Sequence, residues 1–155
     1  MTQFAAAMDR DGNRVTITSN QAFKLESTWT FVAGTTGATG AHTLFTVTGN
    51  CLVQVFGICD TNLAGAGTIE VGVAGNTAAL IAQIADAENL DDGDNWVDAT
   101  PEVGVSALPG SFIVNDGADI ILTIGTTAIT GGVVDFYCLF RPLSSDGNIT
   151  VTTPA

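Results

Sequence analysis

Basic residues are scarce in this chain: Arg10, Arg14, Lys24 and Arg141 stand against 16 Asp and Glu in 155 residues, a formal net charge of −12. Four cations cannot build the positive stripe that phosphate neutralisation requires, so neither nucleic acid nor an anionic membrane is expected as a partner. Charge of either sign is sparse, at 13% of residues, which leaves Thr, Ala, Gly, Asn and Ser to make the surface. No stretch approaches the roughly 18 consecutive apolar residues of a spanning helix. The segment from Met1 to Arg10 lacks a basic region followed by an apolar one, so no secretion signal is read there and synthesis in the cytoplasm is expected.

Reactive side chains are equally few. The three cysteines, Cys51, Cys59 and Cys138, show no C-x-x-C spacing. Cys51 and Cys59 fall on one expected strand, about 26 Å apart at ~3.3 Å per residue, which excludes a bond between them. Buried free thiols are expected. The Asn148-Ile149-Thr150 sequon is read as a chance match. His42 is the single histidine, so any base-assisted nucleophile must use it, and Ser106 lacks the second glycine of a nucleophile elbow. Lys24 follows Ala22-Phe23 and not a glycine-rich loop. Gly65-Ala66-Gly67 leads into a strand, which removes the helix N-terminus that a dinucleotide motif needs. The expectation is a protein without enzymatic activity or cofactor.

What is abundant is Thr (22), Val (14) and Ile (11), a β composition. Turn signals recur at short intervals: Asp11-Gly12, Gly37 to Gly40, Gly49-Asn50, Gly65 to Gly67, Gly75-Asn76, Asp92-Gly93, Pro109-Gly110, Asp116-Gly117, Gly131-Gly132 and Asp146-Gly147. Between them about ten short strands are predicted, near residues 14–18, 27–32, 42–48, 51–59, 68–74, 79–85, 111–115, 119–125, 133–141 and 148–152. Ile69, Val71 and Val73 alternate with Thr68, Glu70 and Gly72, as one wet and one buried face demand. The Ala-rich run after Asn76 competes as a helix. Ala79 stands where a capping box wants Glu, and Asp86 and Glu88 would meet the negative end of the dipole, so a strand is preferred. The fold class is all-β, an antiparallel sandwich or jelly roll over residues 25–155, with an extended arm over residues 1–24.

Two strands, Cys51 to Cys59 and Val133 to Arg141, carry apolar side chains on both parities. A sandwich strand needs one apolar face, so the second is explained either by a neighbouring copy or by a long loop lying over it. The first reading makes Val53, Val55, Phe136, Leu139 and Phe140 the candidate oligomer interface. In the arm, Phe4, Arg10, Arg14 and Phe23 are the candidate contacts to a partner surface; the alternative is a frayed terminus with an edge strand.

The densest polar run is Glu88 to Asp98. Its spacing does not match an EF-hand, and a solvated acidic loop is the plainer reading than a calcium site. Trp96 flanked by Asp91, Asp94 and Asp98 would also suit a sugar ring stacked beside carboxylates, although core or loop anchors are the plainer reading of both tryptophans. A glycosidase pair would need a defined carboxylate separation that sequence does not supply.

The segments His42 to Gly49, Gly67 to Gly75 and Gly132 to Gly147 resemble small acidic all-β virion proteins of tailed bacteriophages. The likeness spans residues 43–151 and rests on strand patterns with their turns. It implies capsid decoration: a cement protein bound to the outside of the head shell, as a homotrimer with a jelly-roll or sandwich body and no catalytic residues. The partners are then the major capsid protein and sister copies, and the location is the virion exterior. A large negative charge suits a particle surface, where like charge keeps virions apart. The second reading is a carbohydrate- or receptor-binding module using the Trp96 loop.

Overall fold

The structure is a computed structural model. It describes residues 22–153, together with the backbone of two short strands in the leading segment, β1 (Ala7–Met8) and β2 (Arg14–Val15), which pair antiparallel. The remaining strands are β3 (Phe23–Thr30), β4 (Gly40–Thr48), β5 (Cys51–Ala64), β6 (Thr68–Val73), β7 (Asn76–Ile84), β8 (Asp94–Trp96), β9 (Glu102–Val103), β10 (Phe112–Val114), β11 (Ile120–Gly125), β12 (Gly131–Pro142) and β13 (Asn148–Val151). All pairings are antiparallel.

They form two sheets. One runs β3-β12-β5-β8-β9, with β10 also on β5; the other runs β13-β4-β11-β6-β7. Taken without β8, β9 and β13, the orders β3-β12-β5-β10 and β4-β11-β6-β7 are those of an eight-stranded jelly roll. From β3 to β13 the chain crosses between sheets at seven of its ten connections, so most pairings join residues far apart in sequence. Thr28 and Asp135, for instance, bond side chain to side chain across 107 positions.

The Ala-rich run is strand β7, with Leu80, Ile81 and Ile84 buried. Asp86 does not oppose a helix dipole there. Its carboxylate accepts the Glu88 N–H at 3.0 Å and caps a single 3-10 turn, Ala87–Asn89.

Period-two alternation builds the core. On β5, Cys51, Val53, Val55, Gly57 and Cys59 face inward; on β12, Val134, Phe136, Cys138 and Phe140 do. They meet Leu44, Val47, Ile69, Val71, Ile120, Leu122 and Ile124 of the other sheet. Gly57 sits between Trp96 on β8 and Phe136 on β12. A Cβ there would stand 3.0 Å from a Val134 methyl. With no side chain at Gly57, the two rings close over it edge to face, centroids 5.8 Å apart.

This packing corrects the expected oligomer interface. Val53, Val55, Phe136 and Phe140 are at most 4% exposed and belong to the core of the chain itself. Two apolar parities were legible, but these four lie on the inward one, leaving Leu139 on the outer. The sandwich also begins earlier than the expected boundary: Phe23 and Lys24 lie on β3, and the Phe23 ring packs on Phe140 at 5.3 Å. Of the other arm residues, Phe4 and Arg10 lie outside the described residues, as does the Arg14 side chain, whose backbone pairs with Met8.

Candidate functional site

The outer face of the sheet containing β3, β12 and β5 is assembled in cross-strand rows. Register places Arg141 beside Leu52 and Leu52 beside Ile113. The next row is Lys24, Leu139 and Gln54, then Glu26, Tyr137 and Phe56, then Thr28, Asp135 and Ile58. Tyr137 stacks on Phe56 with centroids 5.2 Å apart and planes at 17°. The Lys24 ammonium lies 5.7 Å from the Tyr137 centroid and 3.4 Å from Glu26. Desolvation raises the Tyr137 hydroxyl above its usual pKa, with the negative charges of Glu26 and Asp135 adding to it.

Leu52, Phe56, Val133, Tyr137 and Leu139 are half-buried on this face, whereas Ile58 and Ile113 are exposed. A long loop covers one margin: Gln54 donates to the Pro109 carbonyl at 3.0 Å, and Asn95 to the Ser106 hydroxyl at 3.1 Å. The same segment leaves Val103, Val105 and Leu108 open to solvent. The loop explanation of a doubly apolar strand therefore holds at the β5 margin, while the centre of the face stays uncovered. The opposite sheet differs in kind. Its outer face presents Thr43, Thr46, Thr48, Glu70, Gln83, Thr150 and Thr152, with hydroxyls and amides bonding one another, as between Thr46 and Thr152 or Gln83 and Glu70.

The acidic loop does not converge on a ligand. Asp94 and Trp96 share the inward parity of β8 and are buried, whereas Asp91 and Asp98 point to solvent. Trp96 is 0% exposed, so its faces offer no stacking platform. Its Nε1 is enclosed without a hydrogen-bond partner. The Asp94 carboxylate is occupied by the Asp91 N–H at 3.1 Å, and that of Asp98 by the Thr100 N–H at 2.7 Å. The loop is a structural anchor: aromatic insertion into the core fixes it, and its carboxylates tie its own backbone. Among the described residues, no group of three or more His, Cys, Asp and Glu gathers as a metal set would.

His42 Nε2 lies 2.7 Å from the Ala38 carbonyl, and its ring packs edge-on to Trp29. It is tied to local structure. All three cysteines are buried and free, as expected. Burial pushes Cys59 up to about 11 and Cys138 up to about 12, and raises Cys51 as well. Such thiols stay protonated and are poor nucleophiles. At one end of the sandwich, an open cleft of about 470 Å³ is lined by Thr48, Gly49, Asn50, Asp116, Ser144 and Asp146. Its polar groups bond among themselves: Asn50 N–H to Ser144 Oγ, Ser144 Oγ to Asp146, and Asp116 N–H to the Asn50 amide oxygen.

The outer-face residues escaped the sequence-derived site because parity was visible and its direction was not. The signal lay in the aromatics at Phe56 and Tyr137, one on each doubly apolar strand and both on the parity opposite to the cysteines. Comparisons with models of protein families, with curated proteins and with solved structures found no match for this chain.

Proposed function

We propose that this chain is a non-enzymatic structural protein of a bacteriophage virion, a capsid decoration protein that binds the outer surface of the head shell as a homotrimer and stabilises it. The observation that supports this reading best is the asymmetry between the two sheet faces. One is dressed in Thr and amides and suits water; the other sets Phe56, Tyr137, Leu139, Leu52 and Ile113 at the surface around a few charges. An apolar patch of this kind on a domain otherwise so acidic is the mark of a docking surface. The jelly-roll order agrees with the fold that the virion resemblance implies, although fold alone carries no function.

The mechanism is mechanical. A ligand that binds only the assembled shell raises the stability of that state by mass action, and a trimer that engages several shell subunits at once gains further through effective concentration. No bond is made or broken. To test it, the purified chain is mixed with head shells assembled from the major capsid subunit of the same genome, sedimented, and heated. Co-sedimentation in multiples of three copies with a raised shell melting temperature is expected. A chain that stays in the supernatant, or that binds without changing shell melting, overturns the proposal.

A further inference from the structure

We infer that the outer face of β3, β12, β5 and β10 is the contact between copies of this chain, and that opposite electrostatic ends of that face bring the copies together. The inference rests on the reading that the chain assembles with itself. What carries it is the order of charges along the rows.

Arg141 and Lys24 occupy the two rows at one end, and Glu26 and Asp135 the two rows beyond, with Leu139, Gln54, Phe56 and Tyr137 filling the rows between β3 and the far margin. Rows are two residues apart, so the four span about 20 Å, and the positive and negative halves are centred roughly 13 Å from each other. The four charges cancel, in a chain whose net charge is −12. Elsewhere, two such chains repel; on this face a neighbour meets a single net negative charge, that of Asp60, exposed on the same parity of β5 beyond the last row. Lys24 and Arg141 are the two cations whose side chains the structure describes, and both lie here.

A second copy is the occupant that fits, because the face is complementary to itself. Set against another copy, the Lys24 and Arg141 end meets the Glu26 and Asp135 end, and the Tyr137, Phe56 and Leu139 centre is covered. Each row holds three residues, so three strands at ~4.8 Å spacing and four rows give a footprint of about 390 Å² per copy, or about 780 Å² in all, the size of a weak contact. Ile113 at 71% exposed and Leu108 at 52% stand at the rim, where they add to it. In a two-fold pair the contact is isologous and covers the whole face; in a three-fold ring it is heterologous, the positive end of one copy against the negative end of the next.

The test is light scattering of the full chain together with two charge-reversed variants, Lys24→Glu with Arg141→Glu, and Glu26→Lys with Asp135→Lys. The wild type is expected to associate at micromolar concentration. Each variant alone is expected to be monomeric, with Kd weakened at least 100-fold, and an equimolar mixture of the two to associate again. Near-ultraviolet circular dichroism matching the wild type establishes that both variants are folded; should the Asp135 variant fail this check, Glu26→Lys alone replaces it. A monomeric wild type, variants that associate like the wild type, or a mixture that stays monomeric each overturn the inference. A wild-type mass of about 47 kDa, three times 15.8 kDa, supports it together with the trimer of the proposed function. A mass of about 32 kDa, twice that figure, supports the face-to-face contact and overturns the trimer. Shell binding by a chain that scatters as a monomer overturns this contact and leaves decoration standing.

Discussion

Phe136 and Tyr137 are consecutive residues of β12 on opposite sides of one sheet, and truncating each to alanine separates the core from the outer face. Phe136 is 0% exposed and holds the Trp96 ring edge to face at 5.8 Å. Removing it forfeits transfer energy and leaves a cavity that strands tied on both sides cannot close, a loss of about 3–5 kcal/mol. Tyr137 is half-buried, and its replacement loses one stacked pair with Phe56, about 1 kcal/mol. In urea unfolding followed by tryptophan fluorescence, Phe136→Ala is expected to lower the midpoint by roughly 1–2 M with an unchanged slope, and Tyr137→Ala by less than about 0.5 M. Thermal midpoints should fall by roughly 6–20 °C and roughly 2–4 °C. Both measurements are made at concentrations low enough that association adds nothing. Equal losses, or a larger loss at Tyr137, would refute the assignment of β12 parities and with it the separation of core from outer face.

Two further outcomes follow from the same packing. The buried thiols have folded pKa values raised from 9.0 to about 11 for Cys59 and about 12 for Cys138. Between those limits the unfolded chain binds fewer protons than the folded one, so the contribution of the thiols to stability is fully present below pH 9 and is lost as pH rises through 11 to 12. Thiol titration with an aromatic disulfide at pH 8 should accordingly be slow in the native protein and reach three per chain in denaturant; rapid native labelling would contradict the burial. Gly57→Val places a branched side chain where Val134 and the meeting Phe136 and Trp96 rings leave no room. It should cost about 1–3 kcal/mol, read as a shifted denaturation midpoint, and a neutral result would show that the rings do not close over this position.

Much of the architecture was legible residue by residue. The alternation of Ile69, Val71 and Val73, the turn signals, and the weak capping at Asn76 placed most strands of both sheets near where the structure has them, although β3 starts at Phe23 and not at Ser27. Three features were not. β8 and β9 are short and reside in a run dominated by acidic residues, so neither composition nor period marks them. Trp96 suits a core or loop anchor in the sequence, but what it packs on is not marked there, because β8 docks on Gly57, a pairing between positions 39 apart. The extension of β5 to Ala64 also escaped notice, since Asp60, Thr61 and Asn62 look like a turn until β12 pairs along them.

The amino-acid sequence by itself determined the all-β class, the positions of most strands, the two doubly apolar strands and the burial of the three thiols, because each depends on side-chain chemistry and a period of two along a local segment. Tertiary structure alone decided which parity faces inward, the jelly-roll order, and the charge pattern of the outer face. Those depend on partners distant in the chain. Lys24 stands beside Leu139, and Arg141 beside Leu52, only after β3 and β5 have both registered on β12. A one-residue slip of β5 against β12 would have turned Phe56 inward and its inward neighbours outward, breaking the stack with Tyr137.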